Sequence, residues 1–263
     1  MAAYPPTLSA RAGTPVQYHR ERGVAVITLA AAASGNRLTE DLVSGFADAL
    51  DTARADPDIR ACVIQGTPTV FCAGAAQEQM TKGWTSQLDS FMRAPLRFPL
   101  PVVASVRGHA VGGGLLFALA CDVVVLGTRA VLSANFLRYG FTPCGGATHL
   151  VPLKLGAVLG QELLLTAHGY TSAELRDRGC PLRVVDDTKV DDTALRTALL
   201  ISDTPRNVLE LLKTRLAEPV LAATDKAIQA ELPGHRATVG TEESLARIGR
   251  RYPTTRPGEP AHQ

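Results

Sequence analysis

The chain contains the segment Val106-Arg-Gly-His-Ala-Val-Gly-Gly-Gly-Leu-Leu-Phe-Ala-Leu-Ala-Cys-Asp122, in which a strand pattern turns through three consecutive glycines into an apolar helix pattern. Glycines at a helix start leave backbone N–H groups uncovered, so a substrate can approach them closely. Two interpretations of this segment remain open. Either Gly112, Gly113 and Gly114 present N–H groups to an anion, or they only permit tight packing of the helix.

A second segment has the same character and reads Val70-Phe-Cys-Ala-Gly-Ala-Ala76. An apolar strand end is followed by small residues and then by a polar helical stretch, which taken alone is an ordinary β-to-α turn. The two loops lie about 38 positions apart, and each ends a strand and opens a helix. Together they can each direct one N–H group at a single oxygen, which predicts an oxyanion hole built from main chain.

Around these loops, short β-branched runs alternate with segments of helical apolar spacing. The predicted strands are Val24 to Leu29, Ala61 to Gln65, Val102 to Val106 and Val123 to Leu126, and the predicted helices between them are Thr39 to Ala55 and Leu115 to Ala120. This alternation predicts a layered α/β core.

From about Asp191 the strand runs stop and helical patterns follow. These are Ala194 to Ile201, Arg206 to Leu216, Val220 to Ala230 and Glu242 to Arg250, separated by Pro205, Pro219 and Pro233. Because proline disrupts helix interiors, each proline predicts a helix end. We therefore expect a core over residues 15–190, a helical region over 191–252, and disordered tails at 1–14 and 253–263.

The composition, 46% hydrophobic and 20% charged, is that of an ordinary globular protein, and 27 basic against 25 acidic residues form no basic stripe. Nucleic acid is therefore not an expected partner.

Apolar runs are far shorter than the roughly 20 residues of a membrane span, and no signal-peptide pattern is present, so a cytoplasmic location is expected. The five cysteines lack a C-x-x-C pair, which argues against disulfides and a metal site. Cys144, in a glycine-rich loop, is a conceivable nucleophile without an assignable base.

These motifs resemble the crotonase (enoyl-CoA hydratase/isomerase) superfamily, over about Val16 to Arg250. The matching segments are Phe71-Cys-Ala-Gly-Ala75, Gly108-His-Ala-Val-Gly-Gly-Gly114 followed by Cys121-Asp122, and Gly140-Phe-Thr-Pro-Cys-Gly-Gly146. The resemblance implies an α/β, crotonase-like spiral of ββα units with a C-terminal helical trimerisation region. It also implies that the amides of Ala75 and Gly113 are the oxyanion donors.

Two positions depart from the hydratase pattern of that superfamily. Where hydratases carry their two catalytic glutamates, this chain has Leu116 and Phe136. Apolar side chains cannot transfer protons, so hydration by the usual mechanism is not expected. Glu78, on the segment after the first loop, is the remaining carboxylate candidate.

The segment Ser133-Ala-Asn-Phe-Leu-Arg-Tyr-Gly-Phe-Thr-Pro143 resembles the decarboxylating crotonase homologues of polyketide β-branching cassettes. That resemblance implies loss of CO2 from a 3-methylglutaconyl group on an acyl carrier protein, giving a 3-methylcrotonyl thioester, with no cofactor beyond the phosphopantetheine or CoA that carries the substrate. It further implies catalytic roles for Lys82 and for His235, which follows Pro-Gly at an expected junction between helices. Gln79 and Tyr139 are expected in the substrate pocket together with Leu116 and Phe136. Asp122 is expected to cap or orient the strand that follows it.

Two alternatives stay open: a hydratase or isomerase of enoyl thioesters that uses Glu78, and a non-catalytic crotonase-fold module. We also expect a homotrimer or a hexamer. The apolar helices from Ala194 onward have no obvious sheet of their own to cover, and the fold that the chain resembles buries them between subunits.

Overall fold

The computed structural model describes residues 14–82 and 86–251, without the side chains of residues 81, 82, 86 and 251. Apart from Thr14, the tails predicted at 1–14 and 253–263 lie outside the described residues.

Two sheets organise the described part of the chain. The strands are β1 (Val16–Glu21), β2 (Val24–Leu29), β3 (Ala61–Gln65), β4 (Val70–Cys72), β5 (Val102–Val106), β6 (His109–Val111), β7 (Val123–Gly127), β8 (Val131–Ser133), β9 (Gly169–Thr171) and β10 (Arg183–Val185). One sheet has the order β1-β2-β3-β5-β7-β10 and is parallel except for the β1–β2 pair. The other has the order β4-β6-β8-β9 and is parallel except for the β8–β9 pair.

Helices surround both sheets. They are α1 (Glu40–Ala55), α2 (Gln77–Lys82), α3 (Ser86–Arg97), α4 (Gly113–Leu119), α5 (Ala147–Leu155), α6 (Ala157–Thr166), α7 (Ser172–Asp177), α8 (Val190–Ser202), α9 (Arg206–Thr238) and α10 (Glu242–Arg251). A short 3-10 helix spans Asn135–Tyr139. Within residues 14–82 and 86–251, no helix has both the length and the apolar character needed to cross a membrane. This alternation of strands and helices confirms the α/β class expected from the sequence.

The six-stranded sheet is buried on both faces, which explains its nearly continuous Val and Ile runs. On one face lies the main core, where the ring of Phe117 stacks on Phe91 at 4.2 Å and meets Phe46 edge-on at 5.1 Å. On the other face, α8 packs its residues Val190, Ala194 and Ala198 against the valines and alanines of the strands. The expectation that helices from Ala194 onward have no sheet to cover is therefore wrong for α8, because two alanines let this helix approach the sheet closely.

The predicted helix breaks at Pro219 and Pro233 are also wrong, because α9 continues through both as a helix of 33 residues. Both prolines are exposed. The carbonyl that loses its N–H partner to each proline is thus close to water, which reduces the cost of the missing bond. The opposite face of α9 buries a residue every three to four positions along most of its length, and this continuous stripe outweighs the local preference. The buried residues are Leu209, Lys213, Ala217, Thr224, Ile228, Glu231 and His235.

An ion pair between a buried lysine and a partly buried aspartate fixes the first half of α9 to the sheet. Lys213 is 3% exposed, and its Nζ donates to both carboxylate oxygens of Asp122, at 2.6 and 2.7 Å, and to the carbonyl oxygen of Pro95 at 2.9 Å. Asp122 in turn accepts a hydrogen bond of 2.7 Å from the amide of Val102. Asp122 is structural, as expected, but it holds the start of β5 rather than the strand that follows it.

Asn36 joins the end of β2 to β4 from a strained backbone position. It is fully buried with φ +51°, and its side-chain Nδ2 donates to the carbonyl oxygens of Leu29 at 3.0 Å, Phe71 at 3.0 Å and Val70 at 3.2 Å. Asparagine tolerates a positive φ better than most residues and satisfies these buried carbonyls at the same time.

We therefore expect Asn36→Ala to lower the free energy of unfolding by about 2–4 kcal/mol, because buried carbonyls lose their donor and alanine is strained at this φ. Urea titration followed by circular dichroism measures the change. Asn207→Ala, at an exposed position of α9, is the control and should change stability by less than about 0.5 kcal/mol. Equal effects of the two substitutions would contradict the role assigned to Asn36.

Candidate active site

The two glycine-containing loops lie side by side because their strands pair. β4 and β6 are parallel neighbours, with Val70 opposite His109 and Cys72 opposite Ala110. The chain leaves both strands at the same sheet edge, so the residues after Cys72 and after Val111 enter the same space. The sequence prediction that the two loops converge is met by this pairing.

Contact between the loops requires glycine. A Cβ atom added to Gly114 would lie 2.0 Å from the carbonyl oxygen of Cys72. A Cβ on Gly74, where φ is +82°, would lie 2.7 Å from the carbonyl oxygen of Val111 and 3.2 Å from the amide nitrogen of Gly113. No side chain fits between these backbones, so the amide of Gly113 stays next to the first loop.

The first loop is also held from its other side. The amide of Leu38 donates to the carbonyl oxygen of Gly74 at 2.9 Å, and the amide of Ala73 donates to that of Gly35 at 3.0 Å. Leu38 forms an isolated parallel β-bridge with Ala75. The backbone around Ala75 is thus fixed by hydrogen bonds on one side and by glycine contact on the other.

A largely apolar cavity opens beneath the loops, and together with the open solvent space at its mouth it measures about 670 Å³. Its walls come from both loops, from α2 and α3, from the 3-10 helix and the loop after it, and from the end of α9. The lining residues are Leu38, Ala73, Gly74, Ala75, Gln79, Met80, Leu88, Met92, Gly112, Gly113, Asn135, Phe136, Tyr139, Phe141, Cys144, His235 and Val239. Six residues predicted for the site are therefore together in one cavity: Ala75, Gln79, Gly113, Phe136, Tyr139 and His235.

Three other residues predicted for the site are not among the described lining residues of the cavity. Leu116 is 1% exposed in the apolar core and is not among the described lining residues. Glu78 is exposed on α2 and is likewise absent from that lining. Lys82 is the last residue of α2, and its side chain lies outside the described part of the structure.

The described lining contains no Asp or Glu, and its titratable side chains are Tyr139, Cys144 and His235. Burial raises the pKa of the Cys144 thiol far above its ordinary value, which argues against a nucleophilic role. Within residues 14–82 and 86–251, no group of three or more His, Cys, Asp or Glu side chains could hold a metal ion.

His235 is 4% exposed and fixed in orientation. Its Nδ1 lies 2.8 Å from the carbonyl oxygen of Thr142, and since a carbonyl only accepts, Nδ1 carries a proton and Nε2 is the nitrogen left for chemistry. Burial lowers the pKa of His235 below the ordinary value of an imidazole, while the Thr142 carbonyl and Glu231 act in the opposite direction. His235 lies within α9 rather than at a helix junction, so the expected location is wrong although the residue is in the cavity.

Sequence reasoning missed several residues of this site. Asn135 lines the cavity and directly precedes Phe136, so the motif that identified Phe136 also contained it. Met80 and Met92 form part of the apolar wall without any distinctive sequence pattern. Glu231, four residues before His235, lies outside the described lining and is 8% exposed, and no pattern around it in the sequence marks it.

Comparison with known proteins agrees with this geometry. The family model described as "Enoyl-CoA hydratase/isomerase" matches residues 19–251. The chain belongs to this family, the crotonase superfamily. A curated relative is the "Bacillaene synthase decarboxylase PksI" of Bacillus subtilis, which is 37% identical over 220 residues, 82% of this chain and 87% of that protein.

Two further relatives describe the range of the family. A solved structure from work on a dehydratase/decarboxylase enzyme couple involved in polyketide β-branching superposes with a TM-score of 0.86 at 34% identity, covering 91% of this chain and 99% of that one. The mitochondrial methylglutaconyl-CoA hydratase of Rattus norvegicus is 31% identical over 186 residues, 68% of this chain and 59% of that protein. The chain is therefore a crotonase-superfamily protein similar to enzymes of polyketide β-branching, and hydratases are also among its relatives.

The glycine contacts predict different costs for two neighbouring substitutions. Gly114→Ala should lower the free energy of unfolding by about 3 kcal/mol, because its methyl group would overlap the Cys72 carbonyl of a rigid strand end. Gly113→Ala should cost only about 1 kcal/mol, because the nearest atom is the flexible Cε of Met92, at 2.7 Å from the added Cβ. Chemical denaturation of both variants measures the difference, and equal losses would show that the loops can separate.

Proposed function

We propose that the chain decarboxylates a 3-methylglutaconyl thioester, carried on an acyl carrier protein, to a 3-methylcrotonyl thioester and CO2. The observation that carries this proposal is a cavity between two backbone loops whose described lining holds a buried histidine and no carboxylate. The similarity to PksI and to the structure from the dehydratase/decarboxylase couple supports a decarboxylase role.

The proposed reaction begins by breaking the bond between the substrate's carboxylate and its methylene carbon. The electron pair of that bond moves through the conjugated alkene onto the thioester oxygen, and CO2 leaves. The amides of Ala75 and Gly113 stabilise the resulting dienolate oxygen. In other enzymes, removing one such donor costs about 10² to 10³ in rate, so a preformed pair supplies a large share of the acceleration.

The walls of the cavity favour the same step. Leu88, Met92 and Phe136 place apolar surface in the cavity, and removing water from a carboxylate favours its loss as neutral CO2. Gln79 also lines the cavity, and its Oε1 is buried without a hydrogen-bond partner among the described residues. Because Oε1 only accepts hydrogen bonds, it suits a donor group of the bound molecule and not the carboxylate or thioester oxygens of the substrate.

His235 then supplies the proton. The anionic substrate raises the pKa of the buried imidazole and so favours the imidazolium form. The Nε2 proton transfers to the terminal carbon of the dienolate, which yields the 3-methylcrotonyl thioester. The neutral imidazole regains a proton from solvent.

Lys82 is proposed as the cation that positions the substrate carboxylate. It ends α2, the helix that follows the first loop and also carries Gln79. The proposal for Lys82 depends on the family resemblance.

Two alternatives remain. Hydration or isomerisation of an enoyl thioester is supported by the similarity to the rat hydratase, but the carboxylate it would use, Glu78, is exposed and outside the described lining. A non-catalytic module would have no use for paired loops and a buried histidine.

The proposal is tested by incubating the purified protein with 3-methylglutaconyl carrier protein and following the acyl mass by mass spectrometry. We expect loss of CO2, and His235→Ala should lower kcat by about 10² because the proton donor is removed. His168→Ala, at an exposed histidine outside the cavity, is the matched control and should be unchanged. Addition of water to a crotonyl thioester without decarboxylation would support the hydratase instead, and no turnover of either substrate would support the non-catalytic module.

We also propose that the chain forms a homotrimer, or a hexamer made of two such trimers. The outer face of α9 exposes Val208, Leu211, Leu212 and Leu216, residues that are 47%, 70%, 56% and 60% accessible, and apolar area of this kind is normally covered. Light scattering at micromolar concentration should give the mass of three or six chains, and Leu211→Asp combined with Leu216→Asp should reduce it. A wild-type monomer would overturn the proposal.

A further inference from the structure

Glu231 lies one helical turn before His235 on α9 and faces the same loop. Its Oε2 accepts a hydrogen bond from the amide of Gly146 at 2.8 Å. Its Oε1 accepts from the amide of Thr148 at 2.7 Å and from the Thr148 hydroxyl at 2.6 Å. At 8% exposure, this carboxylate is buried and bound to three donors of one short segment.

The same segment holds His235. Thr142, whose carbonyl oxygen accepts from the His235 ring, lies in the loop between the 3-10 helix and α5, while Gly146 ends that loop and Thr148 lies in the first turn of α5. Two residues of α9, four positions apart, therefore hold this loop within its first half and at its junction with α5. That loop also contributes Cys144 to the cavity wall.

We propose that Glu231 is a positioning residue for His235, holding the loop that orients the imidazole and providing the negative charge that favours the imidazolium. The inference rests on the proposed function, because it concerns the protonation of His235 that the decarboxylation uses. Glu231 does not belong to the described cavity lining and would act on the reaction through His235.

Other groups around the ring do not supply this charge. The elements packed around His235 place Phe141, Tyr139 and Cys144 along the same cavity, and burial keeps the Cys144 thiol protonated. Arg37, which lies near Tyr139, is positive and would act in the opposite direction. Among the described charged residues, Glu231 is the one that acts on the pKa of His235, and it raises that pKa against the effect of burial.

The test compares Glu231→Gln with two other variants. Glu231→Gln removes the charge and keeps the size, Thr148→Val removes one of the three hydrogen bonds and keeps the charge, and Glu218→Gln removes an exposed carboxylate elsewhere on α9. The pKa of His235 is read from the pH dependence of its ¹³Cε1 resonance in histidine-labelled protein, with the signal assigned by its loss in His235→Gln. The basic limb of the kcat/KM profile for decarboxylation gives a second reading.

We expect Glu231→Gln to lower the pKa of His235 by about half a unit or more and to reduce kcat about tenfold or more. Thr148→Val and Glu218→Gln should leave that pKa within about 0.2 unit of the wild type. A residue that only stabilised the loop would lower the melting temperature in Glu231→Gln and leave the pKa and the pH profile unchanged, which would overturn the inference.

Two further outcomes are also decisive. If Glu231→Gln does not fold, Glu231→Asp replaces it, keeping the charge on a shorter side chain. In Glu231→Asp, the pKa of His235 should stay near the wild-type value while kcat falls. An unchanged kcat would count against a role of Glu231 in positioning His235. If the wild-type protein releases no CO2, the proposed function fails by itself, and the resonance titration still decides whether Glu231 controls the protonation of His235.

Discussion

The close contact between Gly114 and the carbonyl of Cys72 is the constraint on which the site depends. With a Cβ only 2.0 Å from that oxygen, any side chain would push α4 away from the end of β4. The paired strands β4 and β6 bring the two loops to one edge, and glycine lets them touch. The amide of Gly113 is thereby held next to the first loop, which the β-bridge from Leu38 to Ala75 holds from its other side, and the cavity lies beneath both loops.

The parts of the fold that could be predicted are those decided by local sequence. Strands β2, β3 and β5 have the predicted bounds, and α1 begins at the residue after Thr39, whose side chain caps it. Sequence alone could not show that α9 continues through Pro219 and Pro233, because the preference of proline for helix ends takes account only of neighbouring residues. Whether a proline ends a helix depends on whether it faces solvent and on how strongly the other face is buried, and both are tertiary facts.

The residues of the site also fall into those that local sequence predicts and those that depend on tertiary structure. Ala75, Gly113 and Phe136 follow from motifs with fixed spacing, and the structure brings them into one cavity. The prediction that Leu116 lines the pocket rests on its position three residues after Gly113. Spacing along a helix does not give the direction in which a side chain points within a packed core. Glu231 contacts Gly146 across 85 positions, and no pattern in its own segment of the sequence points to such a partner.

The oxyanion loops have a consequence for how this enzyme family is explored by mutation. The groups proposed to bind the negatively charged oxygen are main-chain amides at an alanine and a glycine, so a conventional alanine scan leaves Ala75 untouched and tests Gly113 only by adding bulk. Such a survey reports the side chains that transfer protons and overlooks the backbone amides proposed to stabilise negative charge. The half of the site proposed to stabilise negative charge belongs to the backbone, so its geometry can stay the same when side chains around the cavity are exchanged.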